Sequence, residues 1–121
     1  MNKVVYIDRD GVICVDRNFS QIGQPGPEIL DESDVELYQH VNQALKILSE
    51  NNFKIFVITN QSKVGRGLIT FEKLQKINNH VNELIEKDGG HIDKFYSCIH
   101  RKEENCICRK PKIGLIELSA K

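Results

Sequence analysis

Apolar residues in this chain follow two periods. Val4-Val5-Tyr6-Ile7 is an unbroken run, as expected of a strand buried on both faces, and it predicts the central strand of a parallel sheet. Ser33-Asp34-Val35-Glu36 has the Ser-x-x-Glu form of a capping box, and Leu37, Val41, Ala44, Leu45 and Leu48 then recur at helical spacing. A helix from about Val35 to Glu50 is expected, closed by Asn51-Asn52. Lys54-Ile55-Phe56-Val57-Ile58 predicts a second strand. Leu74, Ile77, Val81, Leu84 and Ile85 mark the buried stripe of a second helix, with Thr70 as N-cap, Glu72 in its first turn and Asp88-Gly89-Gly90 at its end. Ile92 to Ser97 reads as a weaker third strand. This alternation predicts a three-layer α/β fold with a mainly parallel sheet and right-handed crossovers. Cys14 to Asp31 lacks any apolar period and carries Gly23, Pro25, Gly26 and Pro27, so it reads as a loop over the crevice.

The crossover rule brings the ends of the first two strands to one edge of the sheet. Asp8 and Asp10 would follow the first strand there, with Gly11 turning the chain away, and Thr59 would emerge beside them. Two carboxylates so close repel unless they share a cation or proton, which makes the pair a candidate Mg²⁺ site; a solvated strand-end turn is the competing reading. Lys63-Val64-Gly65-Arg66-Gly67 is a basic loop without P-loop spacing, so ATP binding is not inferred. Cys14 reads as a buried structural thiol, and His40, His80 and His91 as helix-face or surface residues.

Length and charge narrow the function classes. At 121 residues one domain, 1–121, is expected. Lys+Arg and Asp+Glu both number 17, which leaves no long-range field to collect nucleic acid or an anionic membrane. No apolar run is long enough to span a bilayer, and a soluble, cytoplasmic monomer is the expectation. Four cysteines in that compartment would be reduced thiols or metal ligands.

Cys98-x-His100 and Cys106-x-Cys108 supply four soft or borderline donors on one short loop. They match tetrahedral Cys₃His binding of a structural Zn²⁺, against a disulfide pair or chance clustering. Arg109-Lys110-Pro111-Lys112 follows directly and would be an anion clamp anchored by the metal and stiffened by Pro111.

Ile7-Asp8-Arg9-Asp10-Gly11, Ile58-Thr59-Asn60-Gln61-Ser62 and Cys106-x-Cys108-Arg109-Lys110-Pro111, in this order, resemble the haloacid dehalogenase superfamily. The resemblance is to its small zinc-containing phosphatases, typified by D-glycero-D-manno-heptose 1,7-bisphosphate phosphatase and the histidinol-phosphate phosphatase domain. Val15 to Phe19 and Gln61 to Gly67 look closer to the heptose enzyme, whereas the short zinc loop and Lys110-Pro111-Lys112 look closer to the histidinol-phosphate enzyme. The resemblance implies a Rossmann-like fold without a large cap domain and a Mg²⁺-dependent phosphatase of small sugar phosphates, with a small phosphorylated metabolite as its partner. Asp8 would be the nucleophile and a metal ligand; Asp10 would be the general acid and base, ligating Mg²⁺ through its carbonyl. Thr59 and Lys110 would hold phosphate oxygens. Asn60, Gln61, Ser62 and Arg109 would recognise substrate, while Asp16, Arg17, Asn18 and Phe19 close over the leaving group.

One departure bears on activity. The family's last motif, an Asp-bearing turn after a further strand, has no counterpart, and Glu117 is the only carboxylate after Lys110. The chain is therefore expected to be C-terminally incomplete, with weak Mg²⁺ binding and little phosphatase activity on its own. A non-catalytic, zinc-stabilised phosphate-binding module is the alternative from another class. A phospho-accepting receiver domain would share the fold class but leave the zinc ligands unexplained.

Overall fold

The structure is a computed structural model and describes residues 3–15, 28–101 and 104–120. Three parallel strands, β1 (Lys3–Ile7), β2 (Phe53–Asn60) and β3 (Lys94–Cys98), form a sheet in the order β1-β2-β3. Val5 lies opposite Ile55, Ile7 opposite Val57, and Asn60 opposite Cys98. Helices α1 (Val41–Glu50) and α2 (Phe71–Glu86) make the two crossovers, and the short α3 (Gly114–Ser119) follows β3. Among the described residues no helix is long and apolar enough to cross a membrane.

Strand alternation in β2 divides the molecule. Ile55 and Val57, both fully buried, join Leu45, Ile77, Val81 and Ile85 of α1 and α2 in the main core. Each such side chain contributes about 1.5–3 kcal/mol by leaving water. Ile58 faces the other way and packs with Cys98 and Leu115 in a smaller cluster that touches Cys106 and Cys108. Phe56, also on that face, meets Tyr6 and Tyr96 edge to face at 6.0 and 5.7 Å.

The expected central position of the first strand is not observed: β2 is central, and β1 lies at an edge with Val4 and Tyr6 exposed. Only the side of β1 carrying Ile7 packs on the α1/α2 core. The other side has the Tyr6 hydroxyl hydrogen-bonded to Ser119 Oγ of α3 at 3.0 Å.

The first helix also departs from expectation, beginning at Val41 rather than Val35. Asp31, not Ser33, is the cap: its carboxylate accepts from Ser33 N, and Asp34 completes a reciprocal box around the single 3₁₀ turn Glu32–Asp34. Val35 and Leu37 are partly buried against the core from an extended segment, with Val15 N donating to Glu36 O and Tyr38 N to Ile13 O. His40 is accordingly no helix-face residue; it precedes α1 in the left-handed region, at φ 71°. The second helix starts as expected, Thr70 Oγ1 accepting from Lys73 N at 3.0 Å. Cys14 is fully buried as predicted, and burial pushes its thiol up to about 12.

Candidate active site and thiol cluster

The carboxyl ends of β1 and β2 open into a cavity of about 200 Å³ lined by Asp8, Asp10, Glu28, Thr59, Asn60, Ser62, Lys63 and Lys110. A larger cavity of about 550 Å³ between α2, β3 and α3 contains neither carboxylate. Convergence of charged groups, not size, therefore picks out the site.

Asp8, just past β1, is the open carboxylate. Its Oδ1 accepts from Arg9 N at 2.7 Å, and its Oδ2 pairs with Lys110 Nζ at 2.8 Å, both side chains being about one third exposed. Asp10 is held far more firmly. Arg9, whose side chain is fully buried, donates Nε to Oδ1 at 2.8 Å and Nη2 to Oδ2 at 3.1 Å, a bidentate grip. The remaining guanidinium nitrogen donates to Asn78 Oδ1 at 2.9 Å, so α2 fixes the arginine. Gln61 Nε2 donates to Asp10 Oδ2 at 3.0 Å, with Lys63 Nζ 3.7 Å from the same oxygen. Burial raises the Asp10 pKa, but Arg9, Lys63 and Gln61 together outweigh it and hold the carboxyl below its ordinary range. Lys63 shifts down, chiefly through burial and against the pull of Asp10; its Nζ also donates to Ile29 O.

The side-chain period of β2 sets the next three residues. Thr59 faces the cavity, with Oγ1 accepting from Gln61 Nε2 at 2.9 Å. Asn60 points to the opposite side, where Oδ1 accepts from Lys110 N at 2.9 Å and Nδ2 donates to Lys110 O at 3.3 Å. Asn60 thus grips the backbone of the lysine that reaches Asp8. Gln61 is fully buried among protein groups, whereas the sequence assigned it to substrate. Arg109 does not join the carboxylate cavity; it lines a separate recess with Asn105, Cys106, Lys110, Pro111 and Lys112. Ser62 does line the site, while Asp16, Arg17, Asn18 and Phe19 lie outside the described residues.

Four participants escaped the sequence reading: Arg9, Glu28, Lys63 and Asn78. Asn78 left a signal, since it is a polar residue inside the buried stripe Leu74, Ile77, Val81 and Ile85.

Beyond β3, the ligand atoms of Cys98, His100, Cys106 and Cys108 all lie within 4.8 Å of one another. Cys98 Sγ is 3.4 Å from Cys106 Sγ and 3.7 Å from His100 Nδ1; His100 Nδ1 is 3.2 Å from Cys108 Sγ, and Cys108 Sγ is 3.6 Å from Cys106 Sγ. Zn–S bonds of about 2.3 Å put tetrahedral sulfurs about 3.8 Å apart, so these edges fit an ion; the 2.7 Å Cys98–Cys108 edge would open around it. All four cysteines are free thiols. The cluster is compatible with zinc by both donor chemistry and distance. Hard oxygen donors at Asp8 and Glu28 likewise suit Mg²⁺, whereas Arg9, Gln61 and Lys63 occupy the Asp10 carboxylate.

The family model described as polynucleotide kinase 3 phosphatase matches residues 3–121. A D-glycero-beta-D-manno-heptose-1,7-bisphosphate 7-phosphatase from Helicobacter pylori strain J99 is 35% identical over 121 residues, covering 99% of this chain and 64% of the relative. One from Neisseria meningitidis serogroup A is 33% identical over 115 residues, covering 95% and 57%. The crystal structure of D,D-heptose 1,7-bisphosphate phosphatase from B. bronchiseptica, complexed with magnesium and phosphate, superimposes with a TM-score of 0.85 at 25% identity, covering 98% of this chain and 62% of that one. The chain thus spans a little under two thirds of the length of these relatives. With the family match running through β1, the carboxylate cavity, the thiol cluster and α3, the protein belongs to the polynucleotide kinase 3 phosphatase family and is a haloacid dehalogenase superfamily member resembling the heptose-1,7-bisphosphate 7-phosphatases.

Proposed function

We propose that the protein hydrolyses a phosphate monoester of a small sugar bisphosphate, of the heptose 1,7-bisphosphate type, through an aspartyl-phosphate intermediate. The observation that carries this reading is the pairing of one open carboxylate, Asp8, with Lys110 at 2.8 Å in a cavity that also presents Thr59 and Lys63. An incoming phosphoryl group would take over Lys110, whose ammonium and the Thr59 hydroxyl are placed to hold its oxygens. Asp8 then attacks phosphorus as the P–O bond to the sugar breaks, and the alkoxide takes a proton relayed by Asp10, which is ionised at rest and receives that proton from the monoanionic ester as it binds. In the second step Asp10 removes a proton from water, which attacks the aspartyl phosphate and returns Asp8. Arg9 holds the Asp10 carboxylate between these two roles. Mg²⁺ bound by Asp8, with the Asp10 carbonyl, would neutralise charge between carboxylate and phosphate. A zinc ion on Cys98, His100, Cys106 and Cys108 would fix the loop that delivers Lys110 and Arg109, the latter turned toward substrate groups outside the carboxylate cavity. Asp16 to Phe19 would contact the leaving group, and Ser62 the sugar.

The relatives named above support the substrate class, as both are heptose-1,7-bisphosphate 7-phosphatases. The test is Mg²⁺-dependent phosphate release by the full natural protein from heptose 1,7-bisphosphate, histidinol phosphate and an aryl phosphate. Release greatest from the heptose ester, and lost in Asp8→Asn, is expected. No release from any of them overturns the proposal in favour of a phosphate-binding module.

A further inference from the structure

We infer that Gln61 is a positioning residue that aims the Thr59 hydroxyl at the anion in the cavity and ties that hydroxyl to Asp10. The inference rests on the phosphatase reading only for the identity of the anion.

The orientation of the Gln61 amide follows from its neighbours. Its amino nitrogen lies 3.0 Å from Asp10 Oδ2 and 2.9 Å from Thr59 Oγ1. Arg9 donates to both oxygens of Asp10, so the opposite orientation would set a carbonyl oxygen against an oxygen already acting as an acceptor. The amide must therefore spend its two N–H groups on Asp10 and Thr59. Thr59 Oγ1 then accepts, and its own hydrogen is free. Among the described residues this is the one hydrogen bond of that hydroxyl, and Thr59 lines the cavity. The hydrogen left over can donate to an anion bound there.

Two further observations mark Gln61 as built for this task. Its Oε1 is buried and has no hydrogen-bond partner among the described residues, so the side chain tolerates an unmatched acceptor there in order to place its amino group. Its backbone is pinned as well, Gln61 N donating to Cys98 O at 2.7 Å. The side chain itself is fully buried and has no route to substrate. Gln61 acts through Thr59 or not at all.

The experiment is calorimetric titration of inorganic phosphate, in Mg²⁺, into the full protein and its Gln61→Met, Thr59→Val and doubly substituted forms. Gln61→Met keeps the length and bulk of the side chain but cannot donate; Gln61→Leu serves if Gln61→Met does not fold. Each single substitution is expected to weaken phosphate binding about tenfold, as for loss of one hydrogen bond to a charged group. The double variant is expected to bind as Thr59→Val alone, because without the hydroxyl Gln61 has nothing to aim. Wild-type affinity in the Gln61 variant, a Gln61 loss that persists in full on the Thr59→Val background, or no phosphate binding by the unsubstituted protein overturns the inference. Ester hydrolysis is measured separately on the same proteins. Coupled phosphate binding without hydrolysis removes the phosphatase reading and keeps the role of Gln61; hydrolysis with uncoupled binding does the reverse.

Discussion

Two clusters of reactive side chains lie at the same end of the sheet and are stabilised in opposite ways. In the carboxylate cavity, each oxygen of Asp8 and Asp10 already has a protein donor, from Arg9, Gln61 or Lys110. In the thiol cluster, Cys98, His100, Cys106 and Cys108 face chiefly one another. The first is organised before any ion arrives; the second brings together groups that want a shared cation. A metal at the first would thus be an instrument of chemistry, and a metal at the second would be part of the fold.

The strongest test of this contrast is Asp8→Asn. Phosphate release should fall below detection, since an amide is no nucleophile, while the thermal midpoint barely moves, because the partly exposed Asp8–Lys110 pair contributes at most about 1 kcal/mol. Metal removal should separate the clusters next. A zinc chelator, or Cys106→Ser, is expected to lower the midpoint by more than about 10 °C, whereas stripping Mg²⁺ shifts it by about 2 °C or less, as calorimetry would show. Equal shifts would erase the distinction.

Arg9→Met probes the preformed network. It strips a partly buried carboxylate of its bidentate donor, leaving only Gln61 and Lys63 beside it, and should cost about 3 kcal/mol in urea unfolding. The pH dependence has a fixed sign. Because folding holds Asp10 below the ordinary aspartate value of 3.8, its contribution is complete above that pH and is lost as pH falls through the lower folded-state value. Arg9→Met should therefore flatten the acid limb of the stability curve. The smallest effect is expected of Asn60→Ala, which frees the Lys110 backbone: phosphate release drops about tenfold with zinc content unchanged. Loss of zinc in that variant would show that the two clusters are one unit structurally.

Legibility in the sequence varied with how many patterns a residue could serve. α2 was plain, because Thr70, Glu72 and the apolar stripe agree on one period. The start of α1 was not. Asp31-x-x-Asp34 and Ser33-x-x-Glu36 overlap as capping strings, and Val35 and Leu37 fit an extended alternation as well as the first helical turn. The apolar run of β1 read as a central strand, but apolarity on both faces does not reveal what covers each. In the site, Asp8, Asp10 and Thr59 were found from residue type and strand-end position and Lys110 from the basic segment after the thiol ligands, and the structure brings them to one cavity. Arg9 was overlooked because a cation between two aspartates suits solvent equally well. Asn60 and Gln61 were assigned to substrate, whereas the alternation of β2 turns one toward the Lys110 backbone and leaves the other buried.

The contact of Gly65 has a consequence for how such a site could be moved between proteins. Gly65 N donates to Ile99 O at 2.9 Å, and a Cβ on Gly65 would lie 2.6 Å from that oxygen. The loop carrying Lys63 and the loop carrying the thiol ligands therefore lock backbone to backbone, with no side chain between them to absorb a change of shape. Grafting either loop alone onto a related scaffold should fail for want of its mate, while the pair, from Gln61 to Gly67 with Cys98 to Lys110, forms a single transplantable cassette.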